Sequence, residues 1–188
     1  MKGMTNVFGE LDIKDRWNLK IIKVEPHEVK SYTPIGMAYV MMRNASFDSK
    51  DISLSYKYGC VNTRDAFSVS CGENSSACIV DFPGLSLLET RIFIQECLDM
   101  GNLSYMDGGT NTTAINPGRL GDPVINYVHF PAHMYQTLHT HPSHRVGLVI
   151  RGNGKIELDN KEFYDINEGE IFFMRRNCLH NFICEDED

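Results

Sequence analysis

From Val124 to Cys184 the chain is a rhythm of short apolar and β-branched runs cut by tight turns. Val124 to Phe130, Gln136 to Thr140, Val146 to Arg151, Lys155 to Leu158, Glu162 to Ile166, Ile171 to Met174 and His180 to Cys184 read as strands. Gly152-Asn153-Gly154, Asp159-Asn160 and Asn167-Glu168-Gly169 supply turn residues between them. Seven short strands joined this way predict an all-β, double-sheet jelly roll.

Three histidines fall on that pattern. In His139-Thr140-His141 the imidazoles are two residues apart, so on an extended strand both aim to one face while Thr140 faces away. His180 follows a turn at the start of another strand. Two imidazoles from one segment and a third from another are what a divalent transition metal needs for a facial ligand set with open positions. His144 is a substitute ligand if the loop shifts by one residue, and otherwise a solvent-facing loop residue; His129 and His133 carry less signal, and His27 is isolated.

The segments around these histidines resemble the cupin family over residues 124–184. The first cupin motif runs Gly, five residues, His-x-His, three or four residues, Glu, six residues, Gly. Here His133 stands at the first Gly, His139-Thr140-His141 follow, Arg145 occupies the Glu position, and Gly152 closes the motif. The second motif runs Gly, five to seven residues, Pro-x-Gly, two residues, His, three residues, Asn. Its counterparts are Gly169, Arg175-Arg176-Asn177, His180 and Cys184. Spacing is kept at each step while several identities change, and Asn177 is a mild change because Asn tolerates the left-handed backbone of a turn Gly. The resemblance implies a cupin barrel at residues 105–188, with His139, His141 and His180 as metal ligands.

Arg145 is the departure with the largest chemical consequence. A guanidinium stays protonated and cannot coordinate, so the implied site has three neutral imidazoles and keeps the full charge of its ion. An anionic substrate that chelates directly then supplies the missing negative charge. Centres of this kind resemble those of the family's thiol and diketone dioxygenases, which makes Fe(II) the expected metal, with Zn, Mn or Ni as alternatives. Arg145 is a candidate for holding a carboxylate or phosphate bidentately, or else a surface arginine turned away from the metal. Tyr127 and Gln136 are candidates for orienting a substrate, and Tyr135, Phe172 and Met174 for lining the cavity. Arg151, Arg175 and Arg176 read as an anion-attracting rim or as solvated surface charge.

The first 104 residues carry no second His-x-His. Leu19 to Glu25, Gly36 to Arg43, Ile52 to Tyr58, Ala66 to Cys71 and Ala77 to Phe82 read as strands, giving a mainly β extension, with a degenerate second barrel as the alternative. One helix is expected after Ser86: Ser86 and Glu89 make a capping box, Leu87, Leu88, Ile92 and Leu98 form a stripe, and Gly101 sits at its end. Arg91 to Glu96 reads equally as a strand because Ile92 and Ile94 alternate. Asn102 to Pro123, rich in Gly, Asn and Thr, reads as loop.

A net charge of −7 without a clustered excess of Lys and Arg argues against a nucleic-acid surface. The longest apolar runs are strand-sized, so neither a membrane span nor a signal peptide is expected, and the default is a cytoplasmic protein. Six cysteines without a CxxC pair read as reduced packing residues. Free strand edges predict a homodimer. The expected function is a metal-dependent cupin acting on a small anionic metabolite, foremost an Fe(II) oxygenase. The alternatives are a non-catalytic barrel that binds a metabolite, sugar or nucleotide, and a sugar isomerase or epimerase whose acid/base pair the sequence does not place.

Overall fold

A computed structural model describes residues 3–15, 18–85, 90–94, 101–102 and 108–184, and among these there are strands and turns but no helix. In chain order the strands are β1 (Met4–Asn6), β2 (Glu10–Ile13), β3 (Leu19–Val24), β4 (Val29–Tyr32), β5 (Met37–Ser49), β6 (Ser53–Thr63), β7 (Phe67–Phe82) and β8 (Arg91–Ile94). They continue with β9 (Gly101–Asn102), β10 (Thr110–Ile115), β11 (Ile125–His129), β12 (Arg145–Leu148), β13 (Asn153–Leu158), β14 (Phe163–Asn167), β15 (Ile171–Met174) and β16 (His180–Ile183). Among the described residues no helix is long and apolar enough to cross a membrane. The chain divides into two compact units: Met1–Asn6, Asp99–Thr112 and Tyr127–Asp188 form one, Val7–Leu98 and Thr113–Asn126 the other.

The second of these units is built on an antiparallel sheet in the order β2-β3-β7-β5-β6-β8, with β4 also paired to β7. Alternation along β3, β5, β6 and β7 sends Ile22, Val24, Val40, Phe47, Val61, Val69 and Ile79 into one buried cluster, where Phe47 stacks on Phe67 at 5.0 Å. Asp81 is fully buried there, and its carboxylate accepts from the Tyr32 hydroxyl at 2.8 Å and from the Ile35 and Gly36 N–H groups at 2.8 and 3.3 Å.

The unit that carries Tyr127–Asp188 contains two three-stranded antiparallel sheets, β1-β15-β12 and β14-β13-β16. Met4, Met174, Ile156, Leu158 and Ile166 are buried in a common core against which Phe172 and Phe182 pack. Gly147 faces Phe172 across the β12–β15 pair, and a Cβ at Gly147 would overlap the Phe172 ring, so the close approach of that ring requires glycine. A further sheet has the order β11-β10-β9.

Several expectations need correction. The two strands read at Ala66 to Cys71 and Ala77 to Phe82 are one 16-residue strand, β7. Its polar middle is kept in the sheet by a bulge in β5, where Asn44 has φ +50°, its amide donates to the Asn74 carbonyl at 3.0 Å, and Ser75 donates its hydroxyl to the Asn44 carbonyl at 2.5 Å. Of the two readings of Arg91 to Glu96 the strand is the one that forms, as β8 on β6 over Arg91–Ile94, and Gly101, expected at a helix end, lies in β9. Ser86, Leu87, Leu88, Glu89 and Leu98 lie outside the described residues. The segment read as loop from Asn102 to Pro123 contains β10, whose β-branched Thr110, Thr112, Thr113 and Ile115 suit a pleated surface, with Ile115 buried. The strand expected at Gln136 to Thr140 is absent: only isolated bridges form, Tyr135 to Ile183 and His139 to His180.

Candidate metal centre

The turns expected around the histidines form, and backbone chirality explains them. His133, Gly152, Gly169 and Asn177 occupy the four glycine positions of the cupin pattern, and their φ angles are +60°, +80°, +82° and +58°. The left-handed conformation is thus retained even where histidine and asparagine replace glycine. Asn177 then donates its backbone N–H to the His141 carbonyl at 2.7 Å, which ties the turn before His180 to the His139–His141 segment.

His139, His141 and His180 converge, with their nitrogen donors within 4.8 Å of one another, a spacing that one divalent ion can engage. The His139 Nδ1–H donates to the Thr137 carbonyl and the His180 Nδ1–H to the Cys178 carbonyl, each at 2.9 Å. Both bonds leave Nε2 as the lone-pair atom, and a carbonyl partner on the other nitrogen is the usual support of a metal-ligating imidazole. His139 Nε2 lies 3.1 Å from His141 Nε2, while His180 Nε2 is buried without a hydrogen-bond partner. An orphaned nitrogen of that kind costs about 1–3 kcal/mol. A cation held by the three imidazoles would satisfy it, so the donor set fits a metal.

The electrostatics favour the neutral, ligating form. Burial, then the Arg145 guanidinium, then His139 and His180 push the His141 imidazole down from 6.5 to about 4. His180 is also lowered, chiefly by burial, against the opposing hydrogen bond to Cys178 and with help from His139 and Arg145. Arg145 starts β12 opposite the buried Met174, so its side chain leaves the sheet on the core face, and its charge reaches both imidazoles.

Phe182 packs edge-on to His180 at 5.8 Å, and Phe130 and Phe172 pack on Phe182 at 5.1 and 5.8 Å, giving an aromatic wall beside the histidines. Tyr127 is half-buried on β11. Gln136 is buried, and its side-chain oxygen accepts the Phe182 N–H at 3.4 Å. Met174 belongs to the core, whereas Tyr135 is 62% exposed and donates its hydroxyl to Glu157, away from the position expected of a cavity-lining residue. His144 lies outside the cluster: its Nδ1 accepts the Arg176 N–H at 3.0 Å and its ring packs against Phe173. Arg151 and Arg176 are exposed and Arg175 is half-buried.

Sequence reasoning missed Glu157 and Asn181. They face each other across β13 and β16 on the side opposite Leu158 and His180, and Asn181 donates its amide to Glu157 at 3.0 Å. A carboxylate alternating with core residues Ile156 and Leu158 reads as a solvated face, so no linear signal marks it.

The family model described as the AraC-like ligand binding domain matches residues 121–188. No curated protein matches the sequence significantly. Among solved structures, the putative glyoxylate induced protein from Pseudomonas aeruginosa is similar at 12% identity, with a TM-score of 0.63 over 97% of this chain and 76% of that one. The cupin 2 conserved barrel domain protein from Leptotrichia buccalis is 14% identical, with a TM-score of 0.55 over 98% and 83%. Salicylate 1,2-dioxygenase from Pseudaminobacter salicylatoxidans is 10% identical, with a TM-score of 0.57 over 90% and 68%, and a variant of that enzyme was crystallised with gentisate. At these identities the likeness concerns the fold, and together with the motif spacing and the convergent histidines it shows that this chain is a cupin-fold protein.

Proposed function

We propose that this protein is a metal-dependent cupin that acts on a small anionic metabolite, most specifically as an Fe(II) oxygenase. The observation that carries this reading is the convergence of three imidazoles, two of them oriented by backbone carbonyls and one ending in an orphaned buried nitrogen. In this reading His139, His141 and His180 hold the ion, which supplies oxygen activation and Lewis acidity when bound. The likeness to a salicylate dioxygenase supports a chemistry of this class.

The chain's own residues define what such a site accepts. With no carboxylate in the cluster among the described residues, the centre favours a substrate that brings negative charge, and Arg145 supplies a guanidinium for a second carboxylate or phosphate oxygen. The wall of Phe130, Phe172 and Phe182 favours an apolar or aromatic body next to the charged head. Tyr127 and Gln136 are assigned to orienting the substrate. The cytoplasmic location and homodimeric assembly expected from the sequence belong to the same proposal.

A second reading rests on the match to a ligand-binding domain: a non-catalytic barrel that captures a small molecule. Elemental analysis of protein purified without added metal separates the two. Near-stoichiometric iron, followed by oxygen consumption with small hydroxy acids or thiols, supports the oxygenase; a folded protein that neither carries metal nor takes it up on reconstitution overturns it.

A further inference from the structure

We infer that Glu157 is a positioning residue for the three-histidine centre, fixing the register between the two segments that carry the ligands. This rests on the metal-binding reading of the histidines. On β13, Ile156 and Leu158 point into the core, so Glu157 points to the other face, where it is only 9% exposed. A single carboxylate oxygen, Oε2, accepts from the Tyr135 hydroxyl at 2.5 Å and from the Asn181 amide at 3.0 Å. Tyr135 lies on the segment that leads to His139, and the fully buried Asn181 follows His180 directly.

The backbone shows why such a link is needed. Tyr135 bridges to Ile183 and His139 to His180, so four steps on one segment oppose three on the other. One extra residue is accommodated between the bridges, as in a β-bulge, and this reverses the faces. Unbroken alternation would put Tyr135 and His139 on the same side. Instead Tyr135 turns out to Glu157 and His139 turns in to His180. Within the irregular stretch the Gln136 N–H still donates to the Phe182 carbonyl, but the return bond is made by the Gln136 side chain, so the main-chain ladder is incomplete. A slip of one residue would turn His139 away from the other two imidazoles. The Glu157 bonds to Tyr135 and Asn181 oppose that slip from the far side of the sheet.

The test uses the full chain loaded with cobalt(II), read by its d–d absorption, by affinity in chelator competition, and by the melting temperature of the metal-free protein. Tyr135→Phe keeps the exposed ring and removes only the hydroxyl; it is expected to weaken cobalt binding about tenfold and to alter the absorption bands, the scale on which outer partners of metal ligands act. Glu157→Leu is expected to weaken binding about a hundredfold, and Glu157→Gln, which keeps an acceptor oxygen, to restore most of it. Unchanged cobalt affinity and spectrum in Tyr135→Phe and in folded Glu157→Leu, with a fall in melting temperature alone, would assign Glu157 a purely structural role and overturn the inference. Wild-type protein that is folded but binds no cobalt would overturn the metal reading itself, and this inference with it.

Discussion

His139 and His180 are held face to face by reciprocal backbone hydrogen bonds, His139 N–H to the His180 carbonyl at 2.9 Å and His180 N–H to the His139 carbonyl at 3.0 Å. Their rings are 4.7 Å apart, so the backbone, rather than the imidazoles, sets the spacing of the site. Removing either ring leaves that pairing intact. His139→Ala and His180→Ala are each expected to abolish stoichiometric metal while the circular dichroism spectrum stays that of the folded protein; metal retained in both would rule out the ligand assignment.

The pH dependence follows from His141. Its folded-state value near 4 lies below the ordinary 6.5, so the unfolded chain takes up a proton first as pH falls. Stability of the metal-free protein is therefore full above about pH 6.5 and declines as pH drops toward 4, with His180 acting in the same direction. Urea unfolding at pH 7 and pH 5 should show this loss, and His141→Asn should reduce it.

Arg145→Ala separates anion recognition from metal retention. Affinity for a small aromatic carboxylate used as probe is expected to fall about tenfold or more in calorimetry, with metal content unchanged. Because the guanidinium helps to hold the His141 imidazole down, an NMR titration of the metal-free variant should place His141 higher than in the wild type. Identical ligand affinity and an unmoved His141 would assign Arg145 to the surface.

Gly147→Ala tests the aromatic wall. The new methyl group meets the Phe172 ring, which itself packs on Phe182, so relief requires repacking beside His180. A loss of roughly 1–3 kcal/mol is expected in denaturant unfolding.

Asp81→Ala addresses the other unit. It strands the Tyr32 hydroxyl and two backbone N–H groups, and is expected to cost roughly 3 kcal/mol, more than the ~1 kcal/mol expected of Tyr32→Phe. Metal content of the folded fraction should not change.

What the sequence discloses here is local chemistry at fixed spacing. The left-handed backbone at His133 and Asn177 is legible because Gly152 and Gly169 keep the same pattern in register. The convergence of His139, His141 and His180 is legible for the same reason. Long-range pairing is not. Asn74 and Ser75 look like a turn until Asn44, thirty residues earlier, supplies the bulge that absorbs them. The Gln136 to Thr140 run has the composition of a strand, yet its pairing with β16 breaks, because the Gln136 side chain takes the Phe182 N–H that a ladder would give to the backbone. Glu157 stays hidden because an acidic residue between two core positions has the same pattern whether it faces water or a buried amide.

One consequence concerns synthesis. Met4 pairs with Met174 and Asn6 with Phe172, so β1 meets its sheet partner only after β2 to β14 have been made. Until then β1 is an unsatisfied edge that exposes the core-facing Met4. Closure between strands so far apart in sequence carries a high contact order and is intrinsically slow. The nascent chain therefore carries an open seam until β15 is made, and a fragment that begins after Val7 would leave β15 with one neighbour instead of two.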